Sequence, residues 1–261
     1  MIGILDAGIA GLRLANALHM QLPDCDLLYF GDCARGPYGD KGPDVVGRFA
    51  LRGARFLQDQ GVALLVIASH CASAMAAERI GAETGLPVVE AIGPAVREAL
   101  HVTRSLRIGV VASPAVIASR AYERRIKTLR PEARVAAAAC PLLVPLVEAG
   151  WMKKPETAMI VRKCVHSVKI RQADTLILGS AYFCFLAKVI QRKVGRRVRL
   201  VDGAAAQARA VGDYLAARPE LMRRVAGNGL LRFVVSDFCE RLERNARYFF
   251  GANITLERLS I

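Results

Sequence analysis

The chain has little that would staple it together or anchor it to a membrane. Its seven cysteines are an odd number with no CxxC spacing and no cluster among the four histidines. That pattern argues against a disulfide framework and against a zinc or other metal site. No apolar run approaches the length of a membrane span, and Met1 leads at once into the strand-like Ile2-Gly3-Ile4-Leu5. A signal peptide and a membrane partner are therefore not expected, and the default location is the cytoplasm. Aromatic residues make up only 6% of the chain. Acidic residues are scarce as well: 23 against 37 Lys and Arg, a formal charge of +14.

The 261 residues are 53% hydrophobic, enough for one large core or two modest ones. Basic residues cluster at 120–134, 162–171 and 191–199, the last containing Arg192-Lys193 and Arg196-Arg197. Such charge draws nucleic acid, acidic lipid headgroups or an acidic protein, unless it is simply a solvated surface. The clusters hold almost no aromatics, unlike modules that stack single-stranded bases.

Apolar runs at 2–5, 26–30, 63–68, 107–112, 134–138, 175–179, 198–201 and 231–235 predict strands. Amphipathic stretches at 12–22, 45–60, 72–83, 116–129 and 204–217 predict helices between them. The alternation implies an α/β fold of parallel sheets covered by helices. Open sheets of this kind bind ligands at the carboxyl ends of their strands. One strand-helix series runs to about residue 93 and a second begins near 106. No linker separates them, so a site is expected in the cleft between two packed units.

Four strand ends carry unusual residues. The first is Asp6-Ala7-Gly8-Ile9-Ala10-Gly11, a tight turn into a helix. The second is Tyr29-Phe30-Gly31-Asp32-Cys33-Ala34-Arg35-Gly36-Pro37-Tyr38-Gly39. The third and fourth are alike: 64–69 and 176–180 are apolar runs that stop at Ser69 and Ser180. A dinucleotide-binding unit could be read from Gly8, Gly11 and Asp32. Asp6 stands where that fingerprint needs its first glycine, and a carboxylate there would repel a pyrophosphate.

The set as a whole resembles the cofactor-independent glutamate racemases, within the aspartate/glutamate racemase superfamily. Residues 2–11 and 29–39 are similar to the family's first two motifs. Ala68-Ser69-His70-Cys71-Ala72-Ser73-Ala74 is similar to its Ala-Cys-Asn-Thr-Ala-Ser-Ala, and 140–148 to its Cys-Pro-Leu-x-Val-Pro-x-x-Glu. Leu178-Gly179-Ser180-Ala181-Tyr182-Phe183 is similar to its Leu-Gly-Cys-Thr-His-Tyr, and 232–237 to its ending. The resemblance implies two pseudo-symmetric α/β domains with the active site between them. The first is assigned to 1–96 plus 205–261 and the second to 97–204. It also implies a homodimer, a role in peptidoglycan precursor supply, no cofactor, and a small amino-acid or carboxylate ligand.

In that family two cysteines face each other across the substrate's α-carbon. One takes the α-proton as thiolate, and the other returns a proton from the opposite face. Thiols suit this because their pKa, about 8.5, is tuned readily towards neutral. Here the two positions are Ser69 and Ser180. An alcohol lies nearer the value of bulk water, about 15.7. A gap of about five pKa units makes the anion roughly 7 kcal/mol more expensive. The family's histidine is Tyr182, and tyrosine, with pKa about 10, is a poor proton relay near neutral pH. Strand alternation would put His70 on the side of the chain away from Ser69's target.

The resemblance assigns substrate contacts to Ala7, Pro37, Tyr38, Gly39, His70, Cys71, Ser113, Glu148 and Ala181, and a proton-transfer role to Asp6. Ala7, His70, Cys71 and Ala181 replace the family's hydrogen-bonding Ser, Asn, Thr and Thr. Asp6 is open to a second reading, as a turn cap, and Asp32 with Arg35 to pairing that holds the loop. Backbone N–H groups of 37–39 could still meet a carboxylate. Cys71 and Cys184 sit at even offsets from the serines, so an extended backbone would return a thiol pair to the site; a helical turn would not. Three functions stay open. The chain is a racemase-like protein with impaired catalysis, an active racemase or isomerase of altered chemistry or substrate, or a regulatory protein binding nucleic acid or an acidic partner.

Overall fold

Strands and helices alternate along almost the whole chain. The computed structural model describes residues 1–259. The first half contains β1 (Ile2–Asp6), α1 (Leu12–Gln21), β2 (Leu27–Gly31), α2 (Pro43–Asp59), β3 (Leu64–Ile67), α3 (His70–Met75), α4 (Ala77–Thr84) and β4 (Val88–Glu90). Helix α5 (Ile92–Val102) leads across to β5 (Arg107–Ala112), α6 (Pro114–Ser119), α7 (Ala121–Leu129) and β6 (Arg134–Ala139). There follow α8 (Leu143–Glu148), α9 (Pro155–Ile170), β7 (Thr175–Gly179), a 3₁₀ helix (Ala181–Leu186), α10 (Ala187–Val194) and β8 (Arg199–Val201). The chain returns through α11 (Gly203–Ala216) and α12 (Pro219–Val225) to β9 (Leu231–Val235), α13 (Glu240–Phe250) and β10 (Glu257–Arg258).

The strands form two sheets, ordered β10-β9-β2-β1-β3-β4 and β6-β5-β7-β8. Every ladder between these strands is parallel. The inner order is the same in both: second strand, first, third, fourth. This repeat is the pseudo-symmetry of the molecule, and it sets β3 and β7 in equivalent places. β1, β2, β3 and β7 are buried on both faces, as strands covered by helices on either side should be. Their residues read as continuous apolar runs for that reason. Proline opens α2 and α9 at the first helical turn, where its missing N–H costs nothing.

Two predicted helices are each broken in two. The stretch at 116–129 divides because the Ser119 hydroxyl donates to Val116 O (2.7 Å) and accepts from Ala121 N (3.2 Å). Those bonds end α6, and Arg120 takes a left-handed conformation before α7 begins. The stretch at 72–83 starts earlier than expected, at His70, and breaks at Ala76. The early start comes from Ser69, whose Oγ accepts from Ala72 N and caps α3. Strands β4 and β10, three and two residues long, carry too little sequence pattern to predict.

Candidate active site

The repeat brings equivalent strand ends together. Asp6 ends β1, Ser69 follows β3, Ser113 follows β5 and Ser180 follows β7. All four line one small cavity of about 40 Å³ between the two sheets. Ser69 and Ser180 are 5% and 9% exposed, and both reach that cavity. Apart from the capping bond it accepts from Ala72, Ser69 Oγ makes no side-chain hydrogen bond. Ser180 opens the 3₁₀ helix, and its hydroxyl has no partner among the described residues.

Around the serines stand most of the other predicted residues. Ala7, Pro37, Tyr38 and Gly39 approach from the first half, and Ala181 and Tyr182 from the second. His70 and Cys71 line the same cavity as Ser69. α3 begins at His70, so strand alternation does not decide its direction; the ring stands against Gly203, where a Cβ would lie 3.3 Å from Nε2. Its Nδ1 shares a 2.7 Å hydrogen bond with the Tyr122 hydroxyl. Burial pushes its pKa down to about 4, partly opposed by Asp202, so the ring is neutral at pH 7. Cys71 Sγ lies 3.4 Å from Ser113 Oγ, and burial pushes its thiol up to about 11.

Cys184 does not form a relocated thiol pair with Cys71. The turn after β7 carries its sulfur to Asp202, whose Oδ1 it approaches at 3.2 Å. Arg13 pairs with the other oxygen of Asp202. Burial and the Asp202 charge raise the Cys184 pKa.

Asp6 is occupied by its own turn. Oδ1 accepts from Ala7 N and Oδ2 from Gly11 N, each at 2.8 Å, and the Tyr29 hydroxyl donates to Oδ2 at 2.8 Å. Burial nevertheless raises the Asp6 pKa, because desolvation of the carboxylate outweighs these bonds. Asp32 plays a similar part under the next loop. It accepts from Arg35 (2.6 Å), the Tyr38 hydroxyl (2.5 Å) and the Ser236 hydroxyl (2.8 Å).

Glu148 lies outside the serine cavity. It lines an adjoining pocket of about 210 Å³ that shares Ala7, Pro37 and Tyr182 with the first. The Tyr182 hydroxyl donates to Glu148 Oε1 at 2.8 Å. Burial raises the Tyr182 pKa and the Glu148 charge adds to it. Tyr182 also packs against Gly8, where a Cβ would stand 2.6 Å from its hydroxyl oxygen. A glycine at this position is what lets the phenol cross from one half to the other. The adjoining pocket also takes Asp237, Arg241 and Asn245 from the tail. Sequence reasoning missed these, because they reach the site only through the pairing of β9 with β2. Val144 and Gly179 were missed as cavity-lining residues although both lie inside the quoted motifs.

Comparison with known proteins bears on the same geometry. Residues 12–211 match the family model of the Asp/Glu/hydantoin racemases. A glutamate racemase of Geobacter metallireducens is 39% identical over 97% of this chain and 93% of its own length. The crystal structure of glutamate racemase from Francisella tularensis in complex with D-glutamate superposes with a TM-score of 0.91 at 28% identity. It covers 99% of this chain and 97% of that one. A glutamate racemase isoform from Bacillus anthracis gives a TM-score of 0.93 at 27% identity, covering 100% and 97%.

Proposed function

The chain belongs to the glutamate racemase family, and on that premise we propose that its cleft binds a small amino acid or carboxylate but racemises glutamate poorly. One observation carries this reading: Ser69 and Ser180 line one cavity, and neither hydroxyl donates to a base. A serine becomes a useful proton acceptor only beside a positioned base. The nearest imidazole, His70, is tied at Nδ1 to Tyr122. Tyr182 is a phenol held by Glu148 with its pKa raised, so it does not relay protons near neutral pH.

Binding survives better than catalysis in such a site. Hydroxyls of Ser69, Ser113 and Ser180 offer donors to a carboxylate, while the Asp6 carboxylate and the same hydroxyl oxygens suit an ammonium group. The Ala7, Cys71 and Ala181 side chains offer less than the hydroxyls at these positions in the family pattern. Each lost hydrogen bond weakens binding by about 0.5–1.5 kcal/mol.

The test is loss of the α-proton signal of L-glutamate in deuterated water, followed by NMR. The native chain is expected to exchange no faster than buffer. The Ser69→Cys/Ser180→Cys variant is expected to exchange at least about 100-fold faster than native, a conservative share of the roughly 7 kcal/mol gap between alcohol and thiol. Native exchange well above buffer would overturn the reading in favour of an active enzyme of altered chemistry.

A further inference from the structure

The positive charge sits in one half of the molecule. Residues 97–204 contain 21 Lys and Arg against 7 Asp and Glu, which accounts for the entire +14, and the rest of the chain holds 16 of each. Ion pairing divides the same way. Apart from Arg120, every cation in an ion pair lies outside this segment.

Parallel topology then gathers much of this charge at one end. In a parallel sheet with crossover helices, strands begin where helices finish. β6 and β5 begin with Arg134 and Arg107, which are register partners, and β8 begins with Arg199 opposite Thr175. At the same end α7 finishes near Lys127 and Arg130, and α9 finishes at Lys169 and Arg171. The last turn of α10 holds Arg192 and Lys193, followed by Arg196 and Arg197. Cations suit these helix ends electrostatically, yet none of those named has a carboxylate partner among the described residues. Three acids share this end: Asp174 accepts from Thr103, Arg104 N and Ser105 N, Glu123 pairs with Arg120, and Glu132 stands exposed between Arg130 and Arg134. A groove of about 570 Å³ runs across this foot, lined by Arg107, Lys127, Arg134 and Arg171 with one carboxylate, Glu123.

We infer that the foot of the second sheet binds the phosphate backbone of double-stranded nucleic acid. Strands about 4.8 Å apart, with a helix layer of about 10 Å on each side, make a face roughly 14 by 30 Å. A duplex presents one phosphate about every 1.7 Å of its axis with both strands counted, and about half of these face one side, so a face of this length meets roughly eight. Arginine predominates here, and its fork matches phosphate oxygens in pairs. No aromatic side chain stands among these cations, which fits backbone contact without base stacking. The foot lies at the opposite ends of the strands from the serine cavity, so the inference does not depend on what the cavity does.

The test is fluorescence anisotropy of the full chain with a labelled DNA duplex of arbitrary sequence. Six to ten phosphate contacts predict an affinity loss of about 10³–10⁵ between about 50 and 200 mM salt. Arg134→Ala/Arg171→Ala/Arg197→Ala should weaken binding at least about 10-fold and lower the log–log salt slope by about 2–3. Lysine at the same three positions should keep most of the affinity. Arg48→Ala/Arg52→Ala/Arg244→Ala, exposed cations of the other half, should change it less than about 2-fold. Thermal melts of all the variants separate lost binding from lost folding. No duplex binding at low salt overturns the inference. So does an equal loss in the control variant, or capture by phosphatidylglycerol vesicles without capture by duplex.

Discussion

His70 is a buried imidazole in a site whose family pattern carries an amide, and its burial has a measurable consequence. Its pKa falls from an ordinary 6.5 to about 4 on folding. Below about pH 6.5 the unfolded chain takes up a proton that the folded chain refuses, so stability falls as pH drops towards 4. The contribution reaches about 3 kcal/mol and levels off below the folded value. Urea unfolding of native and His70→Gln chains from about pH 7 to 4 should show the native chain losing that much more. Equal pH dependence would mean that the ring is solvated. The sequence made the residue itself legible but not the Ser69 cap, which starts α3 at the next residue. The ring's place is set by partners distant in sequence, Tyr122 and Gly203. Cys184 has the same history: its spacing from Ser180 suggested a thiol at the site, and the turn after β7 sends it to Asp202.

The central strands were readable in the sequence because their burial is uniform, whereas α9, 16 residues long, was not among the predicted helices. β1, β3, β5 and β7 run through the middle of their sheets, and their apolar residues announce them. Interruptions were not readable, because they depend on single conformations. Arg120 and Gln172 both take left-handed backbone angles, with φ of 53° and 55°. Gln172 follows the end of α9, a position that favours glycine. Gln172→Gly should raise stability by about 0.5–1 kcal/mol by removing that penalty. Its side chain gives up only an exposed bond from Arg107. A thermal melt checks this, and a lower midpoint would show that the Arg107 bond matters more than the backbone.

At the scale of the molecule, the cavity between the halves is small and opens beside a larger pocket. About 40 Å³ holds no more than a few waters. Gly39 O accepts from Ala115 N at 2.9 Å and ties the first half to α6 across the mouth. On another side α5 and α11, the two helices that connect the halves, are joined by the Arg209–Glu98 ion pair. Gln207 anchors α11 to the carbonyls of Ile67 and Val89. A ligand that binds the folded chain at about 100 times its Kd adds about 2.7 kcal/mol. For a chain of this size that is a Tm rise of roughly 5–10 °C. L-glutamate or a related dicarboxylate should produce such a rise at saturation. Ser180→Phe, which fills the cavity, should abolish it. A rise that survives Ser180→Phe would place the ligand elsewhere.

The route of the chain also sets an order in time. Residues 107–201 complete the second sheet as one continuous stretch, whereas β2 receives its outer neighbour only from Leu231–Val235. On a ribosome the second sheet can close while the edge of β2 is still bare. An unpaired parallel edge invites pairing with another chain. The outer edge of β2 therefore stays open to wrong pairing from its own synthesis until β9 emerges, about two hundred residues later.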